Sequence, residues 1–178
     1  LHLNHIIVIG TSAGGVRALK NLISPIPAEF PASLFIVMHL QPTSISHLPD
    51  LINHYSKLPA HHPIDGETIQ AGHIYVAPPN LHMVISKDKI YLKTSPRINH
   101  CRPAIDVLFN SAALYGSSTI GILLTGMLND GTAGLLAIKT HNGTTIIQDL
   151  DEAEYQGMPK SASMHVPIDY CLPTKDIA

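Results

Sequence analysis

The stretch from His5 to Gly15, HIIVIGTSAGG, constrains the fold more than any other in the chain. Ile6, Ile7, Val8 and Ile9 form a β-branched run with no polar alternation. That is the pattern of a strand covered on both faces, as in a parallel sheet between helix layers. Gly10, Gly14 and Gly15 let the chain reverse sharply, and Val16, Leu19, Leu22 and Ile23 then recur at helical spacing up to Ser24. Strand, turn and helix together leave Ser12 at the tip of the turn. Helix N–H groups beside it lack intrahelical acceptors and favour negative charge. Ser12 is then either a nucleophile or the N-cap of a glycine-rich turn. A dinucleotide loop is disfavoured, because Ser12 holds the position where that fingerprint needs glycine for backbone approach to a pyrophosphate.

Leu34 to Met38 repeats the buried-strand pattern, with His39 directly after it and a turn at Gln41-Pro42-Thr43. Two such strands joined by a helix form a βαβ unit, parallel and right-handed. A helix follows over Ser46 to Tyr55, with Leu48, Leu51 and Ile52 as its buried stripe, and a short strand over His73 to Ala77. Leu81 to Ser86 and Lys89 to Lys93 alternate around Lys87-Asp88 as an antiparallel hairpin, which predicts a mixed sheet. Pro96 to Pro103 reads as an irregular loop, and Ala104 to Tyr115 as a helix burying Ile105, Leu108, Phe109 and Ala112. Thr119 to Leu124 and Thr144 to Gln148 are further strands, separated by a helix from Thr132 to about His141 that Asn142-Gly143 closes. A short helix after Gly157-Met158-Pro159 and an edge strand over Asp169 to Leu172 complete the chain. The expected fold is α/β: a doubly wound, mostly parallel sheet with helices on both faces and an antiparallel hairpin insertion.

Residues 1–178 show no internal repeat or linker, so one domain is expected. Only 13% of the residues are charged and the net charge is −2, which argues against nucleic acid or an anionic membrane as partner. No apolar run is long enough to insert into a membrane and no signal peptide precedes the first strand, so the expected compartment is the cytoplasm. Cys101 and Cys171 form no CxxC pair, consistent with a reducing compartment. The chain has twelve histidines, but neither His61-His62 nor His73 falls at metal-ligand spacing. No metal or other cofactor is expected.

Three predicted strand ends carry chemistry: Ser12, His39 and, in the loop Thr125 to Gly131, Asp130. A hydroxyl, an imidazole and a carboxylate are the set for acyl transfer, in which the imidazole takes the serine proton and the carboxylate fixes the imidazole tautomer. The chain order Ser, His, Asp differs from the Ser, Asp, His order of the α/β-hydrolases. Structural readings stand beside these. Asn129-Asp130-Gly131 is also an ordinary turn with a helix cap, and His39 could simply end its strand. Asp106 and Asp149 are competing carboxylates, Asp106 as a surface or first-turn acid of its helix. Arg102 positions an acidic substrate segment or forms a structural ion pair.

The motifs IGTSAGG (Ile9 to Gly15), VMHLQP (Val37 to Pro42), RPAIDVLF (Arg102 to Phe109), LLTGMLNDG (Leu123 to Gly131) and GMPKSA (Gly157 to Ala162) span nearly the whole chain. In this order they resemble the catalytic domain of the bacterial chemotaxis protein-glutamate methylesterase family (CheB-type methylesterases). The resemblance implies Ser12 as nucleophile, His39 as general base and Asp130 as orienting carboxylate. It implies hydrolysis of glutamate γ-methyl esters on methyl-accepting chemotaxis receptors, releasing methanol, and in some members deamidation of receptor glutamines. It also implies regulation by a receiver domain, upstream or in trans, none being expected within this chain. Backbone N–H groups near His39 and Met127, with Ala13 and the helix after Ser12, are the candidate oxyanion donors; Arg102 is a weaker positioning candidate. Family members often carry threonine where Ala13 stands, glycine where Leu128 stands and histidine where Cys101 stands. The alternative is a catalytically silent signalling or receptor-docking module of the same fold.

Overall fold

Among residues 5–39 and 45–178, which the computed structural model describes, the opening β-branched run is β1 (Ile6–Thr11), buried along its whole length. The predicted turn at Gln41-Pro42-Thr43 lies outside the described residues. Successive side chains of β1 enter different cores. Ile6 and Val8 pack with Leu108, Phe109 and Leu135, whereas Ile7 and Ile9 pack with Leu19, Leu22 and Ile52. A strand with two apolar faces has no polar face to show, which is why the run lacks alternation.

β2 (Ser33–Met38) lies parallel to β1 in the register Ile6↔Ser33 to Thr11↔Met38, after the crossover helix α1 (Gly15–Ile23). β3 (Ala60–His61) and β5 (Ile74–Val76) extend the sheet beyond β2. β8 (Thr119–Leu123), β9 (Thr144–Gln148) and β10 (Tyr170–Leu172) extend it on the opposite side of β1. The seven strands run in the order β10-β9-β8-β1-β2-β5-β3, and every pairing is parallel. The winding therefore reverses at β1, and a crevice opens beyond the carboxyl ends of β1, β2 and β8. α1 and α2 (Leu48–Tyr55) cover one face of the sheet. α3 (Ile105–Ala113), α4 (Thr132–Thr140) and α5 (Gly157–His165) cover the other. A last turn of helix, α6 (Thr174–Ile177), rests beside α1.

The expectation of one mixed sheet is corrected. The hairpin β6 (His82–Ser86) and β7 (Lys89–Lys93) joins β4 (Glu67–Thr68) in a separate three-stranded antiparallel sheet. Met83, Ile85 and Ile90 place its apolar face in the core with Leu108 and Phe109 of α3. A hairpin with one apolar face packs on a helix, whereas an interior position in the parallel sheet would require two. Two predicted helix stripes also shift by a residue. In α1 the buried face is Ala18, Leu19, Leu22 and Ile23, and Val16 is 44% exposed. In α2, Leu48, Pro49 and Ile52 are buried and Leu51 is 41% exposed. β3, β4 and α6 span between two and four residues, too few to establish a period.

The first turn of α3 rests directly on β1: a Cβ added at Gly10 would lie 2.4 Å from Ile105 Cγ2. Real side chains do not approach so closely, so the Ile105 side chain, or the helix that carries it, must shift. Gly10→Ala is expected to lower unfolding free energy by about 1–3 kcal/mol, measured as a reduced urea midpoint at unchanged slope.

Candidate active site

Ser12 follows β1 in a turn held from below by Thr125. Ser12 N–H (3.0 Å) and Thr11 Oγ1–H (2.9 Å) both donate to the Thr125 carbonyl. The Thr125 hydroxyl donates to Ala13 O at 3.0 Å and accepts from Tyr155 N–H at 2.9 Å. Gly14, at φ 78°, is the N-cap of α1, and no side chain caps that helix. The N-cap reading of Ser12 is thereby ruled out. Beneath it, a Cβ at Gly126 would come 2.9 Å from Ser12 Cβ and 2.3 Å from Met158 Sδ, so only glycine lets this loop pass under Ser12.

His39 leaves the end of β2 with its backbone N–H donated to Thr11 O at 3.2 Å, so that N–H is not free for an oxyanion. Its Nε2 lies 2.7 Å from Asp130 Oδ2. Asp130, in the loop after β8, is 2% exposed. Oδ2 also accepts from Ile105 N–H at 2.7 Å, and Oδ1 accepts from Asn99 Nδ2 (2.8 Å), Asp106 N–H (3.1 Å) and Gly131 N–H (3.0 Å). A buried carboxylate so supplied stays ionised. Burial raises the Asp130 pKa, but the His39 contact, the Ile105 N–H and Asn99 together hold it below the usual carboxylate range. Burial alone would lower the His39 pKa; the Asp130 hydrogen bond and charge, with smaller help from the Cys101 sulfur, push it up to about 9. An ionised acceptor on Nε2 makes that nitrogen the N–H of the neutral ring and leaves the lone pair on Nδ1.

Ser12, His39, Asn99, Cys101, Met127, Leu128 and Asp130 line one cavity. Ser12 Oγ has no hydrogen-bond partner among the described residues. Serine–imidazole bonds are often long in unliganded hydrolases and close when substrate binds. The N–H groups of Ala13 and Met127 donate no hydrogen bond among the described residues, which leaves both available to an oxyanion. Met127 and Leu128 are exposed at the rim, Leu128 in the left-handed region at φ 65°.

Other sequence candidates fall elsewhere. Arg102 does not line the cavity and forms no ion pair among the described residues. Its guanidinium donates to Asn80 Oδ1 and to the carbonyls of Thr94 and Ser95, clamping two loops. Asp149 accepts from Asp151 N–H in the turn after β9. Asp106 is a first-turn acid of α3 but not a surface one. It is 6% exposed and accepts from Gly134 N–H at 2.7 Å and from Asn99 Nδ2 at 2.7 Å. Burial is the main cause that raises its pKa, with the Asp130 charge adding to it. His61 pairs with Glu67 at 2.6 Å, and His62 Nδ1 lies 2.8 Å from Val76 O. Asn99, which bridges both buried aspartates, carried no motif; its only sequence signal is an asparagine in a loop, a residue type tolerant of the left-handed φ of 51° it adopts.

The family model described as "CheB methylesterase" matches residues 7–178. A Leptospira interrogans protein named putative protein-glutamate methylesterase/protein-glutamine glutaminase is 38% identical over 174 residues, 97% of this chain and 90% of that protein. A Thermotoga maritima protein named protein-glutamate methylesterase/protein-glutamine glutaminase is 37% identical over 177 residues, 97% of this chain and 52% of that protein. The chain thus spans about half of the latter relative. The crystal structure of the Thermotoga maritima CheB methylesterase catalytic domain superposes with a TM-score of 0.93 at 37% identity, covering 98% of this chain and 95% of that one.

The pair of shifted pKa values sets a pH window. His39 titrates higher folded than unfolded, so its contribution to stability is full below about pH 6.5 and fades as pH rises through about 9. Asp130 titrates lower folded than unfolded, so its contribution is present above 3.8 and fades as pH falls through its folded value. Breaking such a buried pair from one side costs about 3–5 kcal/mol. Asp130→Asn is expected to lose stability of that order near pH 6, with a smaller deficit above pH 9, measured by urea unfolding. In the same variant the ring-nitrogen NMR titration of His39 should fall from about 9 toward 6.5.

Proposed function

The chain belongs to the CheB methylesterase family, and from that membership and the geometry of its cleft we propose that it hydrolyses glutamate γ-methyl esters on methyl-accepting chemotaxis receptors. The observation that carries this reading is the His39 Nε2–Asp130 Oδ2 contact of 2.7 Å, with Ser12 on the wall of the same cavity. His39 Nδ1 takes the Ser12 Oγ proton as Oγ attacks the ester carbonyl carbon. The carbonyl oxygen becomes an oxyanion within reach of the Ala13 and Met127 N–H groups. The imidazolium returns the proton to the departing methoxide, which leaves as methanol. Water, deprotonated by the same nitrogen, then cleaves the acyl-serine and frees the glutamate carboxylate. With a glutamine side chain the same steps release ammonia. Asp130 stays ionised throughout and stabilises the imidazolium.

Residues 1–178 serve as the catalytic domain, and a receiver domain, upstream or in trans, is its expected regulatory partner. No helix among the described residues is long and apolar enough to cross a membrane. The proposed site of action is the cytoplasm, at receptor segments that project there, with no nucleic-acid partner and no cofactor. A silent receptor-docking module is the competing reading, and the unbonded Ser12 hydroxyl is the observation in its favour.

Methanol release from methylated receptor separates the two. The wild type is expected to turn over and Ser12→Ala to fall to background; equal rates in the two proteins would remove Ser12 from the mechanism. Asp130→Asn is expected to lower kcat by about 10²–10⁴-fold, as in other triads whose acid is neutralised. Because the base must be neutral, kcat/KM should rise about tenfold per pH unit toward the His39 value of about 9.

A further inference from the structure

Cys101 takes no bond-making step in the proposed ester chemistry, yet its sulfur belongs to a compact donor set. Cys101 Sγ, a ring nitrogen of His39 and a carboxylate oxygen of Asp130 all lie within 4.8 Å of one another. We propose that these three side chains form a binding site for a thiophilic divalent cation of the zinc type, and that its occupation shuts off the esterase.

The donor chemistry selects the ion. Thiolate, imidazole and carboxylate together fit zinc, whereas magnesium and calcium require oxygen donors. The geometry needs only small adjustment. Bond lengths of about 2.0–2.3 Å in a tetrahedron place neighbouring ligand atoms about 3.3–3.6 Å apart. The His39–Asp130 separation of 2.7 Å therefore opens by roughly half an ångström, and the separations to Cys101 Sγ, none above 4.8 Å, close by about one at most. All three residues line the same cavity as Ser12.

The ligands are already held in place, as metal ligands need to be. Cys101 stands at the end of a tight turn in which Ile98 and Cys101 exchange backbone hydrogen bonds of 3.1 and 2.8 Å. The two residues between them, Asn99 and His100, have φ of 51° and 64°, the conformation of a two-residue hairpin turn. The same Asn99 donates to Asp130 Oδ1, so the turn that presents the thiol also grips the carboxylate. Oδ1 is further fixed by the Asp106 and Gly131 N–H groups, and Oδ2, held by Ile105 N–H at 2.7 Å, is the oxygen turned toward His39. The sites are mutually exclusive. A cation on His39 and Asp130 replaces the contact that keeps the imidazole basic and oriented.

Binding is independent of the esterase reading; inhibition rests on it. Binding is read with cobalt(II) added to the wild-type chain. One equivalent should produce a near-ultraviolet thiolate-to-cobalt charge-transfer band, retained in Cys171→Ser, lost in Cys101→Ser and abolished by excess zinc. A wild-type protein without the band, or a band that survives Cys101→Ser, overturns the proposal. A readout free of any folding defect uses the wild type alone: zinc should slow iodoacetamide alkylation of Cys101 at least tenfold, followed by mass spectrometry, and no protection overturns it. Inhibition is read from methanol release, where the half-inhibiting zinc concentration should rise at least tenfold in Cys101→Ser. Equal sensitivity of the two proteins overturns the inhibitory role. A chain with no esterase activity at all would sink the methylesterase reading but leave the cobalt and alkylation results to decide the site.

Discussion

One buried carboxylate ties the crevice together. Asp130 accepts from the end of β2 through His39, from the first turn of α3 through Ile105 and Asp106, from the 98–101 turn through Asn99, and from its own loop through Gly131. An ionised group 2% exposed to solvent would be costly without such partners. The β2 and α3 donors come from elements that pack in the core, whereas Asn99 reaches in from an exposed turn, so the carboxylate is held mainly by the fold and in turn holds its histidine. The α3 contribution depends on Gly10, because only a strand residue without a side chain lets Ile105 settle so near β1. Fold and chemistry meet at that contact.

The reversal of winding at β1 explains why residues distant in the chain converge. Strands leave β1 in one direction through β2 and in the other through β8, so the segments after those three strands border one crevice. Ser12 and His39 come from adjacent parallel strands, and His39 N–H reaches the carbonyl of Thr11 as the ladder ends. The carboxylate engages Nε2, the ring nitrogen opposite to the one used in the chymotrypsin arrangement. In the mechanism proposed above, the proton-accepting nitrogen is therefore Nδ1, the one nearer the backbone.

The parallel strands were readable because burial on both faces leaves a continuous apolar run, as in Ile6 to Ile9. Helix stripes were readable to within a residue: Leu19, Leu22 and Ile23 were found, whereas Val16 and Leu51 occupy the edge of the apolar arc and face solvent. The fate of the hairpin turned on what its apolar face meets, a tertiary question that Leu81 to Lys93 cannot answer alone. At the site, Ser12, His39 and Asp130 stood out because each ends a strand pattern. Of the two places open to Asp106, it takes the first turn of α3 and not the surface, and its partners there, Gly134 and Asn99, are not sequence neighbours. Arg102 looked like a candidate for acidic ligands, but its acceptors are neutral oxygens on two loops. Backbone donors such as the Ala13 N–H leave no mark in a sequence at all.

Thr125 connects three segments that are far apart in the chain. Its carbonyl holds the Ser12 turn, its hydroxyl joins Ala13 to Tyr155, and its N–H is capped by Gln148 of β9 at 2.8 Å. The next residue, Gly126, donates to Tyr155 O and accepts from Met158 N–H, extending the lacing to α5. None of these loops can lift away singly without stranding donors in the others. Fluctuations that expose the serine turn to exchange with solvent must therefore involve the segment after β9 as well, making the two a single cooperative unit of local opening. Tyr155, which does not line the cleft, is thus joined to the Ser12 turn through a single residue, Thr125.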